Sequence, residues 1–372
     1  GQQAIVLADS MNQQNALGLD ANGRYGADLF SLDAIQINQS ATNSSLSHNV
    51  QIRPEGGKSA EIKTDTYRMT MTSATTFEVK GFDSNGNQNG VLVNVDTAVA
   101  VPSVDGYYSV PGLGFEVSLT ADPAVNFAAG DLYQFTPTRL AAGGLAMSAS
   151  TGKALALNAP IQVASASSNI SDAKISISSV SDLDITSSGF ALGGGLDATA
   201  PQSIRFTLAD EFQVLDGGGN VLNTVSGITN YNDLLGQAGL TAAGYDVSIS
   251  SVPTPGDTFS IAFNQNGRAD NYNGLKLAAL QNQDLIEGSK SYTQGYTALV
   301  TSLGSETRSL KLNMDSSGIM LKQSLNRRDE VSAVSMDEEA VKLVRFQQSY
   351  SASAQVITAA RDTFQALLNA VR

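Results

Sequence analysis

The one histidine of the chain, His48, is the residue around which a nucleophilic site would have to form, because cysteine is absent. It lies in the polar stretch 44–50 (SSLSHNV), and no serine stands in a Gly-x-Ser-x-Gly turn. The absence of cysteine also excludes disulfides, cysteine nucleophiles and Cys/His metal sites. We interpret His48 as a solvated loop or strand-edge residue and predict that the chain is not an enzyme.

A second candidate site has the ligand spacing of a calcium loop. Asp83, Asn85 and Asn87 stand at i, i+2 and i+4. However, the loop glycine falls at the wrong position, and Asn94 occupies the place of the bidentate glutamate. A related stretch, DGGGN at Asp216, keeps the turn residues and loses this spacing. A hairpin turn explains both stretches, so we predict no metal site.

Two glycine-rich stretches fail as phosphate or dinucleotide sites. Residues 56–59 (GGKS) resemble the end of a P-loop, but Ile52 stands where its first glycine belongs. The GLG at Gly112 lacks the third glycine of a dinucleotide fingerprint. We therefore predict no cofactor.

The acidic group Asp337, Glu338 and Glu339 opens a helix, where carboxylates complement the helix dipole. Ser335 and Glu338 have the spacing of a capping box, which predicts a helix cap there. This is a structural role and leaves no catalytic constellation.

Charge and hydrophobicity narrow the possible partners. The 372 residues carry a net charge of −13, from 35 acidic and 22 basic residues, without a basic block. Phosphate backbones and anionic lipids are repelled by such a chain, so nucleic acid and membrane are excluded as partners. No run approaches the roughly 20 apolar residues of a membrane span.

Both ends of the chain have helical patterns and the middle has the pattern of short strands. Residues 2–17 form a helix without glycine or proline; because Gly1 begins in its interior, we expect the chain to be a fragment. Alternating runs between turn residues predict strands from about 50 to 263. Helices resume after Asn273, with breaks expected near Gly288, Gly318 and 331–335.

The strand region contains an internal repeat. Residues 67–87 (YRMTMTSATTFEVKGFDSNGN) are echoed by 204–220 (IRFTLADEFQVLDGGGN), and residues 114–135 by 244–263. Both copies place a Gly-Asp turn before an aromatic strand. We predict an α+β multidomain fold: two tandem β-rich domains, 41–140 and 141–264, inserted into a helical-bundle or coiled-coil domain formed by 1–40 and 265–372.

The last helix carries a narrow apolar seam with alternating spacings of three and four, the pattern of heptad a and d positions. We predict an α-helical hairpin there, made with the preceding helix at about 289–326. Small residues, Ser353 and Ala360, lie at its centre and allow a close approach of another helix. The predicted assembly interface consists of Leu343, Phe346, Tyr350, Ile357, Ala360, Phe364, Leu367 and Val371.

The run MDEEAVKLVRFQQSYSASAQVITAARDTFQALLNAV resembles the closing segment of the bacterial flagellar axial proteins, and most of all the hook-associated protein 1 family. Three further stretches resemble that family in order. They are residues 7–32 (LADSMNQQNALGLDANGRYGADLFSL), 270–281 (DNYNGLKLAALQ) and 291–307 (SYTQGYTALVTSLGSET).

The resemblance implies a structural subunit that is exported through the flagellar secretion apparatus without a cleaved signal peptide. It would polymerise as a ring at the hook tip, outside the cell, and join the hook to the filament. The implied partners are copies of itself, the hook protein, the second hook–filament junction protein and an export chaperone. Against that family, we also expect that the N-terminal helical segment, which pairs with the C-terminal helix, is missing here and that the second β-rich domain is an addition.

Two alternatives stay open. A flagellin-like filament subunit has the same general organisation, but the acidic triplet followed by FQQ-x-Y at 346–350 favours the junction protein. A secreted β-rich adhesin or carbohydrate-binding module would need exposed aromatic residues. The candidates for that role are Tyr107, Tyr108, Phe115 and Tyr245.

Overall fold

A computed structural model of the chain describes residues 1–149, 152–265, 270–332 and 335–370. The chain divides into two compact units, residues 1–297 and 298–372. The first unit contains all of the β-structure, and the second consists of helix.

Helix α1 spans Gln2–Ala16 and forms where the uninterrupted helical pattern predicts it. Its buried side chains include Ile5, which packs with Ile62 and Ala141. The chain leaves the helix at Gly18, a position that must be glycine, because a Cβ atom there would lie 2.2 Å from Nδ2 of Asn273. The end of α1 is therefore fitted tightly against the segment that returns from the β-structure.

Two short strands follow α1, and eight more complete the first half of the β-structure. Their bounds are β1 Phe30–Ser31, β2 Ile37–Gln39, β3 Asn49–Pro54, β4 Thr66–Met71, β5 Thr76–Phe82, β6 Gln88–Asp96, β7 Tyr108–Val110, β8 Phe115–Thr120, β9 Leu132–Phe135 and β10 Ala146–Met147. The first sheet has the order β2-β9-β4-β5-β6, and β3-β8-β7 form a smaller sheet. Alternating residues of both sheets, such as Met69, Phe77 and Phe115, make one apolar core.

The second half of the β-structure contains β11 Ile161–Ser165, β12 Ile175–Val180, β13 Phe190–Ala191, β14 Gly195–Leu196, β15 Ser203–Leu208, β16 Glu211–Leu215, β17 Val221–Ser226, the short helix α2 Leu234–Gln237, β18 Tyr245–Ile249 and β19 Thr258–Phe263. The second sheet has the order β11-β19-β15-β16-β17. Its core includes Phe206, Phe212 and Phe259.

The first and second sheets have the same topology. In each, an edge strand pairs with the last strand of the set, which pairs in turn with a three-strand meander. The register pairs Met69 with Val79 in the first sheet and Ile204 with Val214 in the second. Ile204 thus corresponds to Met69 in the structure. The sequence repeat aligns Ile204 with Tyr67, which lies two residues earlier. Because side chains alternate with a period of two, the two-residue difference keeps the same face inward.

The two stretches considered for calcium form the predicted hairpin turns. Oδ1 of Asp83 accepts hydrogen bonds from the N–H groups of Asn85 and Asn87. Oδ1 of Asp216 accepts hydrogen bonds from the N–H groups of Gly218 and Asn220 in the same way. Both carboxylates therefore organise a turn, as aspartates at such positions do.

Three helices complete the chain: α3 Tyr272–Ala279, α4 Tyr292–Ser332 and α5 Met336–Ala370. The break expected near Gly318 is wrong, since α4 runs through it without interruption. A single glycine in an exposed helix costs only about 1 kcal/mol, which a helix of 41 residues tolerates. Among the described helices, none is long and apolar enough to cross a membrane.

Candidate assembly interface

Helix α5 exposes the predicted seam along its whole described length. Leu343, Phe346, Tyr350, Ile357, Phe364 and Leu367 are between 59 and 80 % exposed. Ala360 is exposed as well, and Val371 lies outside the described residues. Within the described part of the second unit, this helix therefore presents a row of large apolar side chains to solvent.

The apolar surface of α5 is wider than the predicted seam. Val356 and Leu368 flank it at the neighbouring heptad positions g and e, whereas Val341 and Val344 lie outside the seam at positions f and b; all four are at least half exposed. The strict alternation of three and four residues that predicts the seam does not include these four positions. A search for a broader stripe, with three or four apolar positions per two turns, would have found Val356 and Leu368.

A second apolar stripe follows α4. It begins at Tyr296 and continues at steps of four and three, with Thr307 and Ser317 filling two of its positions. Its large members are Tyr296, Val300, Leu303, Leu310, Met314 and Leu321, which are 49 to 67 % exposed. Heptad spacing on both helices is the requirement for knobs-into-holes packing with another helix. Burying one such side chain stabilises an interface by about 1.5–3 kcal/mol.

The start of α5 is fixed by polar contacts. Oγ of Ser335 accepts a hydrogen bond from the Glu338 N–H at 3.4 Å, which is one half of the expected capping-box pattern. The Glu339 carboxylate pairs with Lys342 at 3.0 Å on the exposed surface. These groups orient the first turn, and the seam begins in the turn that follows.

Helix α1 joins the ends of the first unit through polar side chains. Oδ1 of Asn12 accepts hydrogen bonds from the N–H groups of Leu29 and Phe30, and its Nδ2 donates to the Phe30 carbonyl. Oγ of Ser10 lies 2.6 Å from the hydroxyl of Tyr292, the first residue of α4. Asn273 exchanges hydrogen bonds with Gln14 of α1. Residues of the first unit from all three of the stretches 7–32, 270–281 and 291–307 therefore contact α1.

The GGKS loop is occupied by a carboxylate of the chain itself. The Asp9 side chain on α1 accepts hydrogen bonds from the N–H groups of Gly57 and Ser59. These are N–H groups of the kind that cradle an anion in backbone nests. Here they attach the first half of the β-structure to α1.

His48 is buried, contrary to the expectation of a solvated residue. Its ring stacks on Phe127 at 4.1 Å, and its Nδ1 accepts a hydrogen bond from the Asp122 N–H. Nε2 lies 3.0 Å from Oγ of Ser44, whose hydroxyl donates to Asp131. In a catalytic triad the carboxylate orients the histidine Nδ1, but here a backbone N–H takes that place. The arrangement closes a loop and offers no reactive serine.

The aromatic residues needed for glycan binding are largely enclosed. Phe115 and Tyr245 are buried in the two cores, and burial raises the pKa of the Tyr245 hydroxyl. Arg53 covers the ring of Tyr107 at 3.9 Å, and the Tyr107 hydroxyl donates to Gln51. Tyr108 is half-buried. No flat aromatic platform is formed by these four residues.

The end of the chain is similar to flagellar proteins. The family described as flagellar basal body rod FlgEFG protein C-terminal matches residues 326–370, which contain all of α5. The chain is 40 % identical over 103 residues to flagellar hook-associated protein 1 of Salmonella typhimurium, a stretch that covers 28 % of this chain and 19 % of that protein. It is 32 % identical over 113 residues to the Bacillus subtilis protein of the same name, covering 30 % of this chain and 22 % of the relative.

A solved structure has the same fold. The flagellar hook junction protein FlgK from Burkholderia pseudomallei matches with a TM-score of 0.62 and 20 % identity, over 90 % of this chain and 59 % of that chain. The matched region spans about a fifth of the length of the Salmonella relative. The resemblance to hook-associated protein 1 predicted from the sequence is confirmed.

Proposed function

We propose that this chain is a structural, non-enzymatic part of the junction between the flagellar hook and filament. The observation that carries the proposal is the exposed apolar seam of α5, which lies in the segment shared with flagellar rod proteins. A subunit that assembles through helices needs such a surface, and its free form leaves the surface uncovered. The similarity to hook-associated protein 1 supports the hook tip as the place of assembly.

The helices form the axial connector in this proposal, as a bundle or coiled coil made by both ends of the chain. Leu343, Phe346, Ile357 and Phe364 face a neighbouring helix across the seam. The two β-rich domains, 41–140 and 141–264, form the outward-facing part. Export without a cleaved signal peptide places the protein outside the cell, where it contacts copies of itself, the hook protein and the second junction protein. An export chaperone accompanies it before secretion.

Truncation of the full-length protein before Ser335 tests this proposal. In a motile bacterium that lacks its own junction protein, the truncated subunit is expected to be exported and to fail to assemble at the hook tip. The sheets of the first unit should remain folded, because all of their core residues precede α4. Normal hook–filament joining by the truncated protein would contradict the proposal. A filament subunit, the alternative, would instead be incorporated along the whole filament.

A further inference from the structure

The start of the second sheet, residues 156–160, which we call its root, is attached to α1 by polar side chains. The segment that leads into β11, residues 156–160, lies beside the returning segment and the end of α1. Within the described residues of these segments, several buried asparagine side chains form hydrogen bonds with backbone groups of a neighbouring segment. This feature has no part in the proposed assembly seam.

Asn273 is the centre of this attachment and is only 1 % exposed. Its Nδ2 donates to the carbonyl of Gln14 on α1 and to the carbonyl of Ala156. Its Oδ1 accepts a hydrogen bond from Nε2 of Gln14 at 2.6 Å. One carboxamide therefore connects α1, the segment 156–160 and helix α3, and it uses both of its N–H donors.

Asn15 and Asp270 complete the attachment. Nδ2 of Asn15 donates to the Ala27 carbonyl, and its Oδ1 accepts from the Ala156 N–H at 2.9 Å. Oδ1 of Asp270 accepts hydrogen bonds from the N–H groups of Ala159 and Tyr272. Gly18 lies against the same group, where a Cβ atom would be 2.4 Å from the Ala156 carbonyl oxygen.

We propose that Asn15, Asn273 and Asp270 form a root lock that fixes the second sheet to α1, so that the sheet and the helix move as one body. Apolar contacts of Leu17 and Tyr272 with the second core remain when the lock is opened. Opening it should therefore loosen the root without detaching or unfolding the sheet. Buried hydrogen bonds give such a joint a defined direction, which apolar contacts alone do not.

Asn273→Ala tests the lock, with Asn271→Ala as the matched control. Asn271 is exposed, lies two residues away and makes no side-chain capping bond at the start of α3. In Asn273→Ala, amide hydrogen exchange of residues 156–159 is expected to rise about tenfold or more, because opening then breaks fewer buried hydrogen bonds. Exchange in β15 and β19 should not change, and the control should match the parent.

A distance measurement gives the second readout. Because the chain lacks cysteine, Gln13→Cys and Thr224→Cys can carry two unique spin labels, on α1 and on β17, at exposed positions. The distance distribution should be narrow in the parent and in Asn271→Ala, and should broaden in Asn273→Ala. Gly18→Ala should broaden it too, since its methyl group would push Asn273 away while the amide remains.

Two outcomes would overturn the lock. One is a distance distribution in Asn273→Ala and Gly18→Ala that stays as narrow as in the parent, with unchanged amide exchange at residues 156–159. The other is a loss of protection throughout β15 and β19, because the amides would then belong to the folding core of the second sheet.

Discussion

Asp131 and Asp257 hold the same place in the two halves of the β-structure. Asp131 accepts hydrogen bonds from the N–H and Oγ of Ser44 and from the Ala128 N–H. Asp257 accepts hydrogen bonds from the Ile170 and Thr254 N–H groups and from Oγ of Ser171. Each aspartate immediately precedes the last strand of its sheet.

A neighbouring asparagine completes each of these corners. Asn43 exchanges two hydrogen bonds with the backbone of Leu132, and Asn169 does the same with Thr258. The same Asn–Asp arrangement therefore connects the loop after the edge strand, β2 or β11, to the last strand of the sheet, β9 or β19. His48 extends it only in the first.

Replacing Asp131 by Asn is expected to destabilise the first half of the β-structure by about 2 kcal/mol at neutral pH, because hydrogen bonds to a charged acceptor are lost. Burial alone would raise the pKa of Asp131, but hydrogen bonds from Ala128 and Ser44 outweigh it and hold the pKa below its usual range. A depressed pKa contributes stability above the unfolded value of about 3.9, which is lost as pH falls through the folded value.

The free energy of unfolding in urea, measured at about pH 7 and at about pH 2, gives this contribution, because the two values lie above and below that pKa. Asp131→Asn should unfold at lower urea at pH 7 and should lose less stability than the parent on acidification. Asp28→Asn is the control, because Asp28 is exposed. Equal stability of Asp131→Asn and Asp28→Asn at pH 7 would contradict the structural role of the carboxylate.

His48→Ala is expected to destabilise the chain by about 2–3 kcal/mol. The substitution leaves the Asp122 N–H without its acceptor and opens a cavity beside Phe127. Thermal unfolding measures the effect, and Ser47→Ala, an exposed neighbour, should change the stability by less than about 0.5 kcal/mol. A His48→Ala variant as stable as Ser47→Ala would restore the interpretation of a solvated histidine.

Gly318→Ala is expected to stabilise α4 by about 1 kcal/mol, because the added methyl group meets open space in a helix interior. Gly114→Ala, next to β8, should instead destabilise the first half of the β-structure. Gly114 has φ +70°, and a Cβ atom there would lie 2.4 Å from the Lys58 carbonyl oxygen. Circular dichroism during thermal unfolding distinguishes them. A loss of helix in Gly318→Ala would show that the glycine marks a break after all.

The sequence predicted the features that depend on local periodicity. The bounds of α1 follow from the absence of glycine and proline between Gln2 and Ala16. The repeat was visible because strand alternation and Gly-Asp turns leave a pattern in the residues. The alignment of the two copies was displaced by two residues, because alternation with a period of two matches Ile204 equally well to Tyr67 and to Met69.

Features that depend on distant partners could not be predicted in this way. The burial of His48 requires Phe127 and Asp122, which lie far along the chain. Asn273 is one polar residue in a helical pattern, and its role depends on Gln14 and Ala156. Local sequence carries no signal for these contacts. The seam of α5 remains a prediction as an interface, because exposure alone does not identify what covers it.

Ile357→Asp tests the assembly seam most directly, with Gln355→Glu as its control on the flank. Both positions are exposed on α5, so neither substitution should alter the fold or export of the free subunit. Burying the new carboxylate in a helix pair should cost about 3 kcal/mol or more. The measurement is assembly of the full-length protein at the hook tip. We predict that Ile357→Asp is exported and fails to assemble, while Gln355→Glu assembles as the parent does. Equal assembly of the two variants would contradict the seam.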